Sequence, residues 1–353
     1  MPSLRRVVAR LFLGGLPGPS LDADTRRLHA EVPFGGVTLF RANAADPETM
    51  RALVRDLHAL DPSEPPLVAI DHEGGRVHRL SPPFTHFPSA ATVAAHGLVT
   101  VRAVATAMAR ELAALELDLT FAPVLDVASN PANPVIGDRS FGTTPDGAAT
   151  AALAAFRATR AVGLITCGKH FPGHGDTATD SHLDLPIVTR DRRTLGTTEL
   201  APFRRAIAAR VPMMLTAHVR YPALDPELPA TLSRTIVTKL LRGRLGFRGV
   251  VATDDLEMRA IADRWSVGEA SVLALAAGCD LLLYCHRQDW LRTAVEAVEQ
   301  AVASGRLPET RIKDAYRRVT RLMQWRRRNA RRERLAVIGC AAHTRLAAEL
   351  RAG

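Results

Sequence analysis

A chain of 353 residues, 47% of them apolar and without a low-complexity tract, is long enough to bury a large core, which excludes a disordered polypeptide and a small disulfide-stapled module. The formal charge is +10, and of the 46 basic residues only Lys169, Lys239 and Lys313 are lysines. Much of the excess sits in RRVTRLMQWRRRNARRER, 317–334, which carries no nucleic-acid motif and reads as a solvated helix face, with anion binding as the other reading.

At the start of the chain a short apolar run is interrupted by Arg10 and no small-residue cleavage site follows. No stretch approaches the ~20 apolar residues of a membrane span. Cys167, Cys279, Cys285 and Cys340 lie far apart without a CxxC pair, the first three in or beside apolar runs, as reduced thiols would. A cytoplasmic protein with neither membrane nor nucleic-acid partner is expected.

In chain order, strand-like runs fall at 11–15, 36–40, 67–71, 119–127, 164–169, 213–219, 249–254 and 280–285. Helical patterns such as 47–60, 101–117 and 200–210 lie between them. Near-continuous apolar strands alternating with helices are the mark of a parallel sheet. Asp71, Asp126, Lys169, His218 and Asp254 stand at the ends of five different runs. A closed barrel gathers all strand ends on one face, whereas an open doubly wound sheet draws on two or three. The expectation is an α/β fold, a single (β/α)8 TIM-type barrel over 1–316 with an Arg-rich C-terminal helical extension over 317–353 packed on it. The extension would end in a strand-like run and a helix closing the barrel bottom.

Four segments are too polar, and too rich in Gly and Pro, for ordinary connections. In 70–79, IDHEGGRVHR, an acid at a strand end is followed by two glycines that let backbone approach a ligand, and by arginines that can clamp hydroxyls or a carboxylate. An internally salt-bridged loop is the other reading. In 133–142, NPVIGDRSFG, Arg139 can reach a ligand while Asp138 fixes a turn, although the segment alone is an unremarkable loop.

The third segment, KHFPGHGD at 169–176, runs on to Asp180, Ser181 and His182. Three histidines, a lysine and two aspartates are hard to explain as packing. One reading is a metal site from His170, His174 and His182. The other is proton transfer, with Asp180 orienting and charging His182. Metal-hydrolase barrels usually pair histidines near the first strand, and residues 1–20 hold none, which favours proton transfer. The fourth segment, VVATDDLEM at 250–258, ends a buried strand with two acids. Glycosyl transfer needs a carboxylate beneath the anomeric carbon, and Asp254, nearest the strand end, is placed for it. An N-cap role explains Asp255 well.

Together these motifs resemble glycoside hydrolase family 3, in its β-N-acetylglucosaminidase branch. The similarity runs from about residue 8 to residue 290 and includes, in family order, DHEGGRVHR, FAPVLDV, NPVIGDRSFG, KHFPGHGDT, DSH, MMLTAHV, LRGRLGFRGVVATDDLEM and AGCDLLLYC. The resemblance implies a retaining β-N-acetylglucosaminidase that needs no cofactor and no metal. It makes Asp254 the nucleophile, His182 the acid/base on a mobile loop and Asp180 its dyad partner. Asp71, Arg79, Arg139, Lys169 and His170 would hold the N-acetylglucosamine ring, Arg79 being preferred to Arg76 by resemblance alone. The DSH segment separates this branch from β-glucosidases that draw a carboxylic acid/base from a second domain.

A cytoplasmic member of this branch implies a monomer acting on a small carbohydrate in peptidoglycan recycling. The substrate would be a muropeptide with N-acetylglucosamine β-1,4-linked to N-acetylmuramic acid or its 1,6-anhydro form. Other readings are attack by the substrate's own acetamido group, transfer of the sugar to phosphate by a β-N-acetylglucosaminide phosphorylase, a metal-dependent hydrolase using His170, His174, His182 and His218, and a non-catalytic binding protein.

Overall fold

The computed structural model describes residues 2–178 and 184–352. Eight parallel strands close into one barrel in chain order: β1 Phe12–Gly14, β2 Gly36–Leu39, β3 Leu67–Ile70, β4 Leu119–Thr120, β5 Ile165–Phe171, β6 Met213–Thr216, β7 Val250–Asp255 and β8 Leu281–Leu283. Closure comes from Phe12 and Leu13 of β1 in register with Leu282 and Leu283 of β8. Up to Thr253 every strand residue is buried, as a sheet covered by helices outside and packed side chains inside requires. The chain is a (β/α)8 TIM-type barrel with a C-terminal helical extension.

Helices form where caps and apolar stripes agree. The pattern at 47–60 becomes Pro47–His58: Asp46 accepts the Thr49 N–H, Pro47 sits in the first turn, and Met50, Leu53, Val54 and Leu57 bury one stripe. The patterns at 101–117 and 200–210 become Gly97–Ala114 and Leu200–Ala208.

Two expectations are corrected. Most of 119–127 is not regular strand, because Pro123 lacks an N–H to continue the ladder. The chain still follows β5, with Leu125 N–H donating to the Lys169 carbonyl at 2.6 Å and Lys169 N–H to that of Pro123 at 3.2 Å, and this irregular stretch carries Asp126 to the barrel mouth. Nor does the C-terminal ending supply a strand and close the bottom. Leu335–Val337 is a single 3-10 turn, and Ala341–Ala352 lies on the flank, where Ala347 and Leu350 join Val101 and Val104 in a satellite core.

The helix Glu309–Asn329, which runs unbroken across 316–317, crosses the strand starts instead. Its inward arginines meet carboxylates there: Arg311 and Arg318 donate to Asp280 Oδ1 at 2.8 and 3.2 Å, and Arg326 lies 3.2 Å from Asp118. Charges brought under a barrel stay only if paired. Among the described residues no helix is long and apolar enough to cross a membrane.

The flank helix is tied down by one buried acid. Glu111 accepts from Thr85 N–H (2.9 Å), Thr85 Oγ1 (2.7 Å), Gly339 N–H (3.1 Å) and His343 Nδ1 (2.8 Å). Burial opposes its ionisation, but these donors hold its pKa below the usual carboxylate range. Glu111→Ala is expected to lower the unfolding free energy by about 3 kcal/mol, since it strands several donors at once. Urea titration measures this; a loss under about 0.5 kcal/mol, the size of an ordinary surface change, would mean the network does not anchor the helix.

Candidate active site

The polar segments meet at the C-terminal mouth of the barrel. After β3, Gly74 (φ +88°) and Gly75 (φ +53°) reverse the chain in a left-handed turn closed by Glu73 N–H on the Val77 carbonyl at 2.9 Å. The reversal brings Arg79 back to Asp71, Nη2 donating to Oδ2 at 3.3 Å. Arg76 faces elsewhere, donating to the carbonyls of Pro134 (3.0 Å) and Ile136 (3.1 Å) and so joining the first two polar segments.

At the centre, Lys169 Nζ lies 2.5 Å from Asp71 Oδ1 and 2.5 Å from Glu73 Oε1. Arg139 forks onto Glu73, Nε to Oε2 at 2.9 Å and Nη2 to Oε1 at 2.8 Å. The side chains of Lys169 and Glu73 are only 3% and 5% exposed, so the charges must balance within the cluster. Within it Lys169 and Arg139 meet Asp71 and Glu73, and the third cation, Arg79 on Asp71, is the part-exposed one, so the surplus charge lies toward solvent. Burial alone would raise the Glu73 pKa, yet Arg139 and Lys169 hold it far below the carboxylate range. Against burial, Asp71 and Glu73 raise that of Lys169.

Beneath β5, the fully buried Asp126 accepts from the backbone N–H of His174 at 2.7 Å and of His170 at 3.1 Å, and from His170 Nδ1 at 2.7 Å. The carboxylate fixes a proton on His170 Nδ1, so Nε2 is the ring nitrogen left to meet a ligand. His174 Nδ1 bonds Thr177 Oγ1 at 2.8 Å, and burial, helped by His170, lowers its pKa to about 4. The same fold of chain needs Gly175, where a Cβ would sit 1.7 Å from the Val127 carbonyl.

Across the mouth, β7 presents two consecutive acids in opposite states. Asp254 Oδ1 accepts the Asp255 N–H at 2.9 Å; burial opposes its charge, but His218, His170 and Lys169 hold its pKa below normal. Asp255 accepts N–H groups of Glu257 (3.1 Å) and Cys285 (3.3 Å), and burial, with Glu257 and Asp254 adding, pushes it up to about 7. His218 Nε2 donates to the Asp255 carbonyl at 2.9 Å and its Nδ1 faces Thr231 Oγ1 at 2.7 Å.

These groups enclose a cavity of about 390 Å3, lined by Asp71, Arg79, Arg139, Lys169, His170 and Asp254, with Phe40, Met258 and Leu283 among its apolar walls. It is large enough for a sugar ring, with donors and acceptors on the β3–β5 side and an ionised carboxylate on the β7 side. Asp180 and His182 lie outside the described residues. Among the described residues no three His, Cys, Asp or Glu side chains are grouped to hold a metal ion.

Sequence reasoning gave no role to Glu73 and marked Asp126 only as a strand-end acid. Glu73 lies inside a motif already singled out, and that is the sole signal it carries. Its partners stand 66 and 96 residues further on, at Arg139 and Lys169.

Behind the mouth, the His72 and His78 rings meet at a tilt of 46° with centroids 4.4 Å apart. Burial depresses both, His72 to about 3 and His78 to about 4, from 6.5. Below pH 6.5 the unfolded chain therefore binds more protons than the native one, and stability falls as pH drops toward those values. Asp255, contributing as pH falls from about 7 to 3.8, and Glu199, raised by burial, act in the opposite sense, but these two acids oppose four depressed histidines, His29, His72, His78 and His174. The urea midpoint is expected to fall steadily from pH 6.5 to 4 in wild type and less steeply in His78→Gln; equal slopes would assign the acid lability elsewhere.

A parallel barrel carrying paired carboxylates and sugar-sized polar walls at its C-terminal mouth is a glycosidase architecture. The glycosyl hydrolase family 3 N terminal domain matches residues 7–322. A β-hexosaminidase of Alkalilimnicola ehrlichii is 40% identical over 328 residues, 88% of this chain and 92% of that protein. A family 3 β-N-acetylglucosaminidase structure from a Paenibacillus species superposes with a TM-score of 0.94 at 40% identity, over 99% of this chain and 68% of that one. The structure of native NagZ from Neisseria gonorrhoeae gives 0.81 at 30% identity, over 96% and 97% of the two chains. The chain is a glycoside hydrolase. It belongs to glycosyl hydrolase family 3, in the branch of the β-hexosaminidases.

Proposed function

We propose that the chain is a retaining β-N-acetylglucosaminidase that removes non-reducing terminal β-linked N-acetylglucosamine through a covalent intermediate on Asp254. The observation that carries this reading is an ionised Asp254 in one wall of a sugar-sized cavity whose facing wall holds Asp71, Arg139 and Lys169, with Glu73 behind them pairing both cations. Asp71 accepts from sugar hydroxyls, while Arg79, Arg139 and Lys169 donate to them and His170 lines the same wall. An Asp254 oxygen attacks the anomeric carbon as the glycosidic bond breaks, and the leaving oxygen takes a proton from His182, which Asp180 holds in its cationic form. His182 then removes a proton from water, which attacks the same carbon and frees Asp254.

Two features support nucleophilic rather than acidic duty for Asp254: its low pKa, and the neighbouring Asp255 holding its own proton near neutrality. The biological substrate we propose is a cytoplasmic muropeptide carrying N-acetylglucosamine on N-acetylmuramic acid, met in peptidoglycan recycling. The kinship with NagZ-type proteins and the expected compartment support it.

Release of 4-nitrophenol from its β-N-acetylglucosaminide, beside the β-glucoside, tests the proposal. Turnover of the acetamido sugar alone is expected. Preference for the glucoside would overturn the specificity, and turnover that depends on added inorganic phosphate would make the protein a phosphorylase.

A further inference from the structure

The opposite end of the barrel carries a second concave site that the glycosidase chemistry leaves unused. Where the helix Glu309–Asn329 ends beneath β4, that helix, Pro65, Pro66 and residues 330–332 enclose a cavity of about 240 Å3. Four arginines line it, Arg326, Arg327, Arg331 and Arg332, against two carboxylates, Glu116 and Asp118.

Both carboxylates are already engaged. Asp118 Oδ2 accepts the Val68 N–H at 2.9 Å and lies 2.8 Å from His58 Nε2, while its Oδ1 is 3.2 Å from Arg326 Nε. Glu116 accepts from Arg55 Nε at 3.0 Å. The arginines are less fully answered. Arg326 is 6% exposed; Nη2 donates to the Leu117 carbonyl at 2.7 Å, but Nη1, shielded from solvent, has no hydrogen-bond partner. Arg327 reaches only the Ser63 carbonyl, at 3.3 and 3.4 Å, and the Arg331 side chain forms no hydrogen bond or ion pair among the described residues. The groups that can meet a ligand are therefore the exposed guanidiniums of Arg327, Arg331 and Arg332, with the buried Arg326 fixed behind them.

The backbone that presents these side chains is held in place. Ala330 N–H donates to the Arg326 carbonyl at 2.7 Å, and Arg110 forks onto Glu333 at 2.9 and 3.1 Å. At Gly163 (φ +94°) a Cβ would come within 2.1 Å of the Asn329 carbonyl, so the segment lies tight against the turn before β5.

We propose that this cavity binds a phosphate-type dianion, at a site separate from the sugar pocket. With Glu116 taken up by Arg55 and Asp118 shared by Arg326 and His58, the lining arginines keep a surplus of positive charge that a phosphate dianion offsets, and the planar forks of arginine match its tetrahedral oxygens. The volume exceeds that of a bare phosphate, so the ligand is either free phosphate or a phosphate monoester with a small organic group.

Calorimetric titration of the full chain with inorganic phosphate and with phenyl phosphate, at about 50 mM salt to limit screening, tests this. One saturable site is expected, weakened at least about tenfold in Arg331→Ala/Arg332→Ala, whose side chains are exposed and whose loss leaves the fold intact. Turnover of the nitrophenyl substrate should be unchanged in that variant. Tighter uptake of the ester would identify a monoester site, and equal uptake a free-phosphate site. Absence of saturable binding, or equal binding by wild type and variant, would overturn the proposal. So would loss of binding when N-acetylglucosamine fills the mouth, since the anion would then sit on Arg79, Arg139 and Lys169; that result would leave the glycosidase reading intact.

Discussion

Asp254→Ala is expected to lower kcat/KM on 4-nitrophenyl N-acetyl-β-glucosaminide by about ten-thousandfold or more, with an unchanged unfolding midpoint. The side chain stands near the end of β7 in the cavity wall and accepts the N–H of its own neighbour, Asp255, so removal empties a reaction position more than it breaks a core contact. The matched control is Asp255→Asn, which keeps an acceptor for the Glu257 and Cys285 N–H groups and replaces an acid that holds its proton up to about pH 7. It should lose less than about tenfold, because hydrogen-bond acceptance is conserved. Azide offered to Asp254→Ala should restore turnover and yield the α-glycosyl azide, as a small anion replaces the missing carboxylate. Mass spectrometry after a fluorinated N-acetylglucosaminide should find the sugar on the peptide containing Asp254. An unlabelled peptide together with normal turnover would point to attack by the substrate's acetamido group.

The second large effect is expected at Glu73, a residue that need not touch the substrate. Glu73→Ala leaves Arg139 and Lys169 buried with Asp71 as the one remaining carboxylate of the cluster. Breaking a buried ionic pair from one side typically costs about 3–5 kcal/mol, and this change breaks two pairs at once. The guanidinium also loses the fork that aims it at the cavity, and a misplaced clamp can lower kcat/KM by about a hundredfold. Glu73→Gln separates the two effects. It keeps the shape but turns an amide donor toward two cations, so stability should fall nearly as far as in Glu73→Ala. Denaturant titration and steady-state kinetics on both variants check this. Full stability in Glu73→Ala would show that Asp71 alone balances the cluster.

How much of this was legible beforehand depends on whether a feature is local. The strand starts and the caps of Pro47–His58 follow from short-range rules, since an apolar run or an Asp-Pro pair acts within one turn or one strand. The irregular path through 121–127 was missed because Pro123 weakens a ladder that β5, far along the chain, still holds in part. The ending at 335–352 was misplaced because an amphipathic helix shows that it has a buried face, not which surface covers it.

The sequence alone determined the barrel, the family motifs and the positions where chemistry-bearing residues end strands, because periodicity, strand-end acids and glycine turns are written in neighbouring residues. Tertiary structure alone decided which charges answer one another. Glu73 with Arg139 and Lys169, Asp126 with His170 and His174, and Asp118 with Arg326 are joined across 44 to 208 residues. The same holds for the opposite proton affinities of Asp254 and Asp255, identical side chains adjacent in sequence. Burial and the sign of the nearest charge set a carboxylate's state, and both exist only once the barrel has closed.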